Sequence, residues 1–401
     1  MRQALINARI VDFMDGKVRV HEQAALAWTA GKIDFVGDGS LLDLSQVDCV
    51  IDAHGDLLLP ALIDCHTHLV YSGSRIADFA ARMNGASYAE IAARGGGILS
   101  TVYATRAACV EQLVDGALPR LQRLIEGGVA TVEIKSGYGL DLASEQRMLQ
   151  AARRLGEISG ARVISTFLPL HALPPEYASR RAEYVRDVSE RWLPTLMDQG
   201  LIDHVDAFVE HLAFSAAEAR QFFNAARRLN IPVKVHAEQL SLCGASALGA
   251  EFNALSVDHL EHIDSTAIAQ IAASQAVAVL LPGAFYALRE THLPPIAALR
   301  QARVPMAIAT DLNPGTSPQS SLTAAMNQAC VLFGLSTDEA LLGVTRNAAQ
   351  ALGLRELARG LAVGAPADVA RFALADAAEL CYWLAGVTAK AVYRDGRLIT
   401  S

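Results

Sequence analysis

Eight short apolar segments, rich in β-branched residues, recur along the middle of this chain. They lie at residues 61–68, 129–135, 162–170, 204–210, 232–238, 256–260, 277–282 and 304–310. Helix-like stretches separate them, as at 144–158, 175–198, 216–229 and 265–273. Strands joined through helices pair in parallel, because each helix carries the chain back to the end where the last strand began. Eight such units predict an α/β fold built on a (β/α)8 TIM-like barrel. An open doubly wound sheet is the alternative, but no Gly-x-Gly-x-x-Gly follows a strand; Gly95-Gly96-Gly97 has the wrong spacing.

The two ends of the chain read differently. Ala4-Leu5-Ile6, Arg9-Ile10-Val11, Val18-Arg19-Val20 and residues 24–28 look like short strands, broken by turn signals at Asp15-Gly16 and Ala30-Gly31. The same style returns at 367–372 and 389–399. We expect a small β-sandwich domain from residues 1–60 plus 361–401, and a barrel domain from 61–360. The segment 70–128 is long enough to fold over the barrel mouth.

A net charge of −8 and no basic stripe argue against nucleic acid as a partner and favour a small-molecule substrate. Hydrophobic residues at 52% against 19% charged exclude a disordered chain. The first residues lack the apolar core of a signal peptide, no stretch reads as a membrane span, and the six cysteines are scattered. These features predict a cytoplasmic protein with reduced thiols and no membrane partner.

In a barrel, chemistry gathers at the C-terminal ends of the strands. There the sequence places His66 and His68, Glu133-Ile134-Lys135-Ser136-Gly137-Tyr138-Gly139, His171, Glu210-His211, His236-Ala237-Glu238-Gln239, Asp258-His259 and Thr310-Asp311-Leu312-Asn313-Pro314-Gly315-Thr316. Polar groups on core strands are costly without partners, so this concentration marks a site. His66 and His68 share a face of strand one by parity. With His236 and Asp311 they form a donor set suited to one divalent metal ion, Zn2+ or Fe2+/Fe3+, that acidifies water. Lys135 reads as a buried partner for a carboxylate. Glu210 is a candidate bridge to a second metal.

His-x-His on strand one, histidines on strands five and six and Asp on strand eight resemble the amidohydrolase superfamily. Residues 64–70, 133–139, 233–240 and 311–316 resemble more closely the imidazolonepropionase family of histidine breakdown. The resemblance covers nearly the whole chain. It implies metal-dependent hydrolysis of the cyclic amide C–N bond of 4-imidazolone-5-propanoate, giving N-formimidoyl-L-glutamate, in a homodimer. It also implies that Arg75, Tyr138, His171, Gln239, Asn313, Gly315 and Thr316 bind substrate, with Tyr88 a weaker candidate. A guanidinium suits the substrate's carboxylate, and the Asn313 loop offers an amide, a hydroxyl and free backbone N–H groups.

The expected catalytic residues are Asp311 as proton acceptor, His259 for the oxyanion or a proton, and Glu238, which shares the parity of His236. Gln239 departs from family members that carry a carboxylate there, and an amide is no base. The same departure counts against an aromatic-base deaminase, the alternative on this scaffold. A non-catalytic scaffold without metal is the third reading, and retention of all four ligands counts against it.

Overall fold

The computed structural model describes residues 1–14, 16–87, 90 and 94–400. Eight strands pair in parallel and in chain order: Leu62–Asp64, Val129–Lys135, Arg162–Leu170, His204–Val209, Lys234–Ala237, Ser256–His259, Val277–Leu280 and Met306–Ile308. The ring closes just beyond its first and last strands. Thr67 bridges Leu312 in parallel, Asp311 N–H donates to His66 O at 3.0 Å, and His68 N–H donates to Leu312 O at 2.9 Å. Strands covered on both faces read as continuous apolar runs, and Val129–Lys135 is buried along its whole length.

The outer helices start and stop where the sequence supplies caps. Asp141 accepts from Ser144 N–H at 2.8 Å to open Leu142–Ser159, which ends at Gly160 with φ 76°. Ser215 and Glu218 form a capping box for Ala216–Arg228. The region expected as one helix over 175–198 is broken. A 3-10 turn at Pro175–Tyr177 precedes a helix at Arg181–Asp187, a π turn at Val188–Trp192 and a helix at Leu193–Asp198. Pro194 has no N–H for a carbonyl four residues back, and the wider turn lies immediately before it.

The two ends of the chain build a separate mixed sheet. Leu57–Pro60 joins them, pairing in parallel with Arg2–Met14 and antiparallel with Val369–Phe372. The four short strands expected near the start are two long ones, Arg2–Met14 and Lys17–Thr29. Their register shifts on either side of Ala8, with Asn7 at φ 52° and Gln23 at φ 51°. Ala30 and Gly31, at φ 49° and 79°, make the tight turn into Lys32–Asp38. Leu5, Leu26, Trp28, Leu58, Val369 and Tyr393 form a core of this sheet. Arg162 on barrel strand three ties it down through Asp368 and, at 3.0 Å, Asp395. No helix among the described residues is long and apolar enough to cross a membrane.

Candidate metal centre

The barrel seam positions the first candidate ligands. His66 Nε2 and His68 Nε2 stand 3.3 Å apart, and each is 3.5 Å from Asp311 Oδ1. His236 Nε2, from strand five, is 3.3 Å from His68 Nε2. All four side chains are buried. Four donors held about 2.0–2.1 Å from one ion in a tetrahedron lie about 3.3–3.4 Å from one another. The His66–His68 and His68–His236 separations match that spacing and those from His66 and His68 to Asp311 are slightly longer, while His236 groups with His66 and His259.

The far side of two rings decides which nitrogen is free. His66 Nδ1 lies 2.6 Å from Asp258 Oδ2, and His236 Nδ1 lies 3.0 Å from Asp206 Oδ2. A carboxylate facing Nδ1 favours the tautomer with the proton on Nδ1, and Asp258 accepts that hydrogen bond from His66, which leaves Nε2 with a lone pair. Burial, with the nearby Lys135 charge, holds His66 well below the ordinary histidine range; burial and His171 do the same for His68. Three imidazole nitrogens and one carboxylate oxygen thus converge on one buried point, a donor set that suits a divalent transition metal. The residues present therefore fit a divalent metal ion.

Three further strand ends turn sharply at this rim. Glu238, His259 and Asp311 take φ of 50°, 86° and 52°, a left-handed backbone that side chains other than glycine rarely adopt. The turn at His259 brings a ring nitrogen within 4.8 Å of nitrogens of His66 and His236. Among the described residues the metal-capable groups are two overlapping triples, His66 with His68 and Asp311, and His66 with His236 and His259.

Beside the cage lie the residues expected to meet substrate. His171 stacks on His68 with ring centroids 5.2 Å apart, and its Nδ1 is 3.0 Å from Gly137 O. Burial lowers His171 to about 4, so the ring is neutral. Tyr138 sits 5.3 Å from His171 and 6.1 Å from His68, ring to ring. Two glycines hold it there: a Cβ on Gly137 would meet Leu168 O at 2.8 Å, and one on Gly139 would meet Glu145 N at 2.5 Å. Arg75, on the long segment after strand one, reaches the strand-eight loop; a Cβ on Gly315 would stand 3.4 Å from its Nη1. Asp78 holds Arg75 Nε. Gln239 is half-buried at the end of strand five. Tyr88 lies outside the described residues.

Comparison with known proteins places this arrangement. The amidohydrolase family model matches residues 57–399. An imidazolonepropionase of Polaromonas sp. (strain JS666 / ATCC BAA-500) is 51% identical over 385 residues, 96% of this chain and 91% of the relative. An imidazolonepropionase of Pseudomonas putida is 48% identical over 401 residues, the whole of both chains. The chain belongs to the amidohydrolase family, and within it to the imidazolonepropionases. Among solved structures, an adenosine deaminase from Xanthomonas campestris with bound zinc superposes with a TM-score of 0.76 at 17% identity. That match covers 99% of this chain and 92% of the deaminase, and it shows a shared fold.

Membership in the amidohydrolase family does not give every rim carboxylate a place at the cage. Parity put Glu238 beside His236, but the strand ends at Ala237 and the left-handed turn redirects the side chain. Its carboxylate accepts from Ala245 N–H at 2.7 Å and Ser246 N–H at 2.9 Å, and from the Ser246 hydroxyl, at the start of helix Ala245–Glu251. Glu210 likewise receives Leu240 N–H at 2.8 Å and the Ser241 hydroxyl, which ties strand four to the loop after strand five. The Asn313 loop satisfies itself. Asn313 Oδ1 accepts from Gly315 N–H at 2.9 Å and Thr316 N–H at 2.7 Å, while Nδ2 donates to Asp311 O at 2.7 Å. The free N–H groups expected there are already used.

Two supports were missed in the sequence. Asp206 lies in mid-strand in Val205-Asp206-Ala207, where a charge among apolar residues was the available signal. Glu145 sits on the following helix and gathers the N–H groups of Gly137, Gly139 and Leu140 at 3.0, 2.7 and 2.8 Å. Lys135 is the buried carboxylate partner expected, 2.7 Å from Asp206.

Proposed function

We propose that this imidazolonepropionase adds water across the ring amide of 4-imidazolone-5-propanoate and releases N-formimidoyl-L-glutamate, a step of histidine breakdown. The observation that carries this reading is near-50% identity to proteins of that name along the whole chain. Water oxygen bonds to the ring carbonyl carbon, the C–N bond to the neighbouring ring nitrogen breaks, and that nitrogen gains a proton.

His66, His68, His236 and Asp311 are the residues we assign to one ion, zinc or iron. When bound, it acidifies water and polarises the carbonyl. A single ion is supported by the overlap of both metal-capable triples on His66 and by the engagement of Glu210 elsewhere. Asp311 is also our candidate to take a proton from the attacking water. We assign His259, whose ring nitrogen lies within 4.8 Å of those of His66 and His236, to steady the carbonyl oxygen or pass a proton. Arg75 is our candidate for the propionate, because a planar fork matches a carboxylate. Tyr138, His171 and Gln239 would line the ring, and Asn313 would shape Gly315 and Thr316 against Arg75. We take residues 1–60 with 361–401 as one unit and 61–360 as the catalytic one.

Metal-loaded protein given 4-imidazolone-5-propanoate should consume its ultraviolet absorbance and yield formimidoyl-glutamate. Absence of turnover by protein that retains its metal would overturn the proposal.

A further inference from the structure

Beneath the cage lies a closed group of charges that ligand assignment alone does not explain. Glu133, Lys135, Asp206, Lys234 and Asp258 come from strands two, four, five and six, and all five side chains are wholly buried. Lys135 Nζ is 2.7 Å from Asp206 Oδ2, 2.9 Å from Glu133 Oε2 and 3.8 Å from Asp258 Oδ2. Lys234 Nζ supports the same Glu133 oxygen at 3.0 Å and donates to Cys65 O at 3.0 Å.

The atoms facing Lys135 are the informative part. The Asp206 oxygen nearest the ammonium is the one 3.0 Å from His236 Nδ1. The Asp258 oxygen facing it is the one 2.6 Å from His66 Nδ1. One ammonium thus stands between two carboxylate oxygens, each of which faces Nδ1 of a different candidate ligand histidine. An ammonium has three N–H donors in a tetrahedral spread, and Asp206 and Glu133 take close positions while Asp258 stands further out. Buried carboxylates left without that cation would repel each other across the barrel axis and lose the orientation that their rings depend on.

We propose that Lys135 is a positioning residue of the metal centre. It holds Asp206 and Asp258 in register, so that the strand-one and strand-five histidines present Nε2 to the ion together. It touches neither substrate nor metal. The inference rests on the metal-centre reading above, and its test separates the two.

The experiment uses Co(II)-substituted full-length protein, with cobalt affinity read by chelator competition and the visible Co(II) absorption read alongside. Loss of partners behind metal-binding histidines typically weakens metal binding roughly 10- to 100-fold. Lys135→Met should fall in that range and shift the Co(II) bands, and Lys135→Arg, which keeps the charge, should recover part of the affinity. In an Asp206→Asn background the further effect of Lys135→Met should shrink, because one of the two routes is already cut. A folded Lys135→Met protein with wild-type cobalt affinity and an unchanged spectrum would overturn the proposal. If Lys135→Met does not fold, Glu133→Gln/Lys135→Met, which removes an anion with the cation, is compared with Glu133→Gln by the same two readings. Wild-type protein that binds no cobalt would overturn the metal centre itself.

Discussion

His66 Nδ1 and Asp258 Oδ2 meet at 2.6 Å with both side chains wholly buried, so strand six decides which nitrogen of a strand-one histidine is available. Asp258→Asn tests this directly. An amide can turn its NH2 to Nδ1, which then accepts and sends the ring proton to Nε2, the atom needed for metal. Metal affinity measured by chelator competition should drop roughly 10- to 100-fold. An unchanged affinity would contradict the tautomer assigned here.

Asp311→Asn removes the one anionic donor at the cage. Turnover should be lost, with metal content per chain reduced after dialysis against a weak chelator. Near-normal activity in this variant would contradict Asp311 as both ligand and proton acceptor.

Metal binding should depend on pH through the same residue. In the metal-free protein burial raises the Asp311 carboxyl to about 7, whereas His66, His68 and His259 are held well below their ordinary range. Below pH 7 an ion must expel the Asp311 proton, so affinity should fall about tenfold per unit on account of this group. Above 7 the carboxyl is already ionised and its contribution is flat. Zinc affinity titrated between pH 6 and 8 should therefore rise and then level. A flat profile across that range would show that Asp311 is not the group displaced.

Glu238→Gln separates support from catalysis. The carboxylate receives two backbone N–H groups and a hydroxyl at a helix start, so the variant should lose about 1–3 kcal/mol in a denaturant melt. Activity per folded molecule should stay near wild type. A large loss of kcat without loss of stability would return Glu238 to the chemistry.

Arg75→Gln should raise KM for the carboxylate-bearing substrate more than it lowers kcat, since the group grips a part of the substrate remote from the bond that breaks. An equal loss in kcat at unchanged KM would point to a different task for Arg75.

The barrel was legible because strands such as Val129–Lys135 and Arg162–Leu170 are mostly apolar and β-branched and lead at their C-terminal ends into polar residues. The candidate ligand residues stood out for the same reason, as polar exceptions at strand ends. Glu238 misled because parity assumes an extended chain, and its left-handed backbone is imposed by the turn rather than written in residue type. Asp206 was hidden because its value depends on His236 and Lys135, which lie on other strands; nothing local to Val205-Asp206-Ala207 names those partners. In the terminal sheet, the shift around Ala8 let strands run longer than their apolar pieces suggested, since a bulge continues pairing through polar residues.

The seam between the first and last barrel strands carries His66, His68 and Asp311 on adjoining backbone, linked by the Asp311-to-His66 hydrogen bond. During synthesis these residues leave the ribosome at opposite ends of the catalytic segment. A nascent chain that has made the two histidines can offer only half a cage, and it waits for almost the entire barrel before the last donor arrives. On the ligand assignment proposed above, retention of metal would report that the circle is complete, which would make metal content a gauge of correct folding as well as of readiness to turn over substrate.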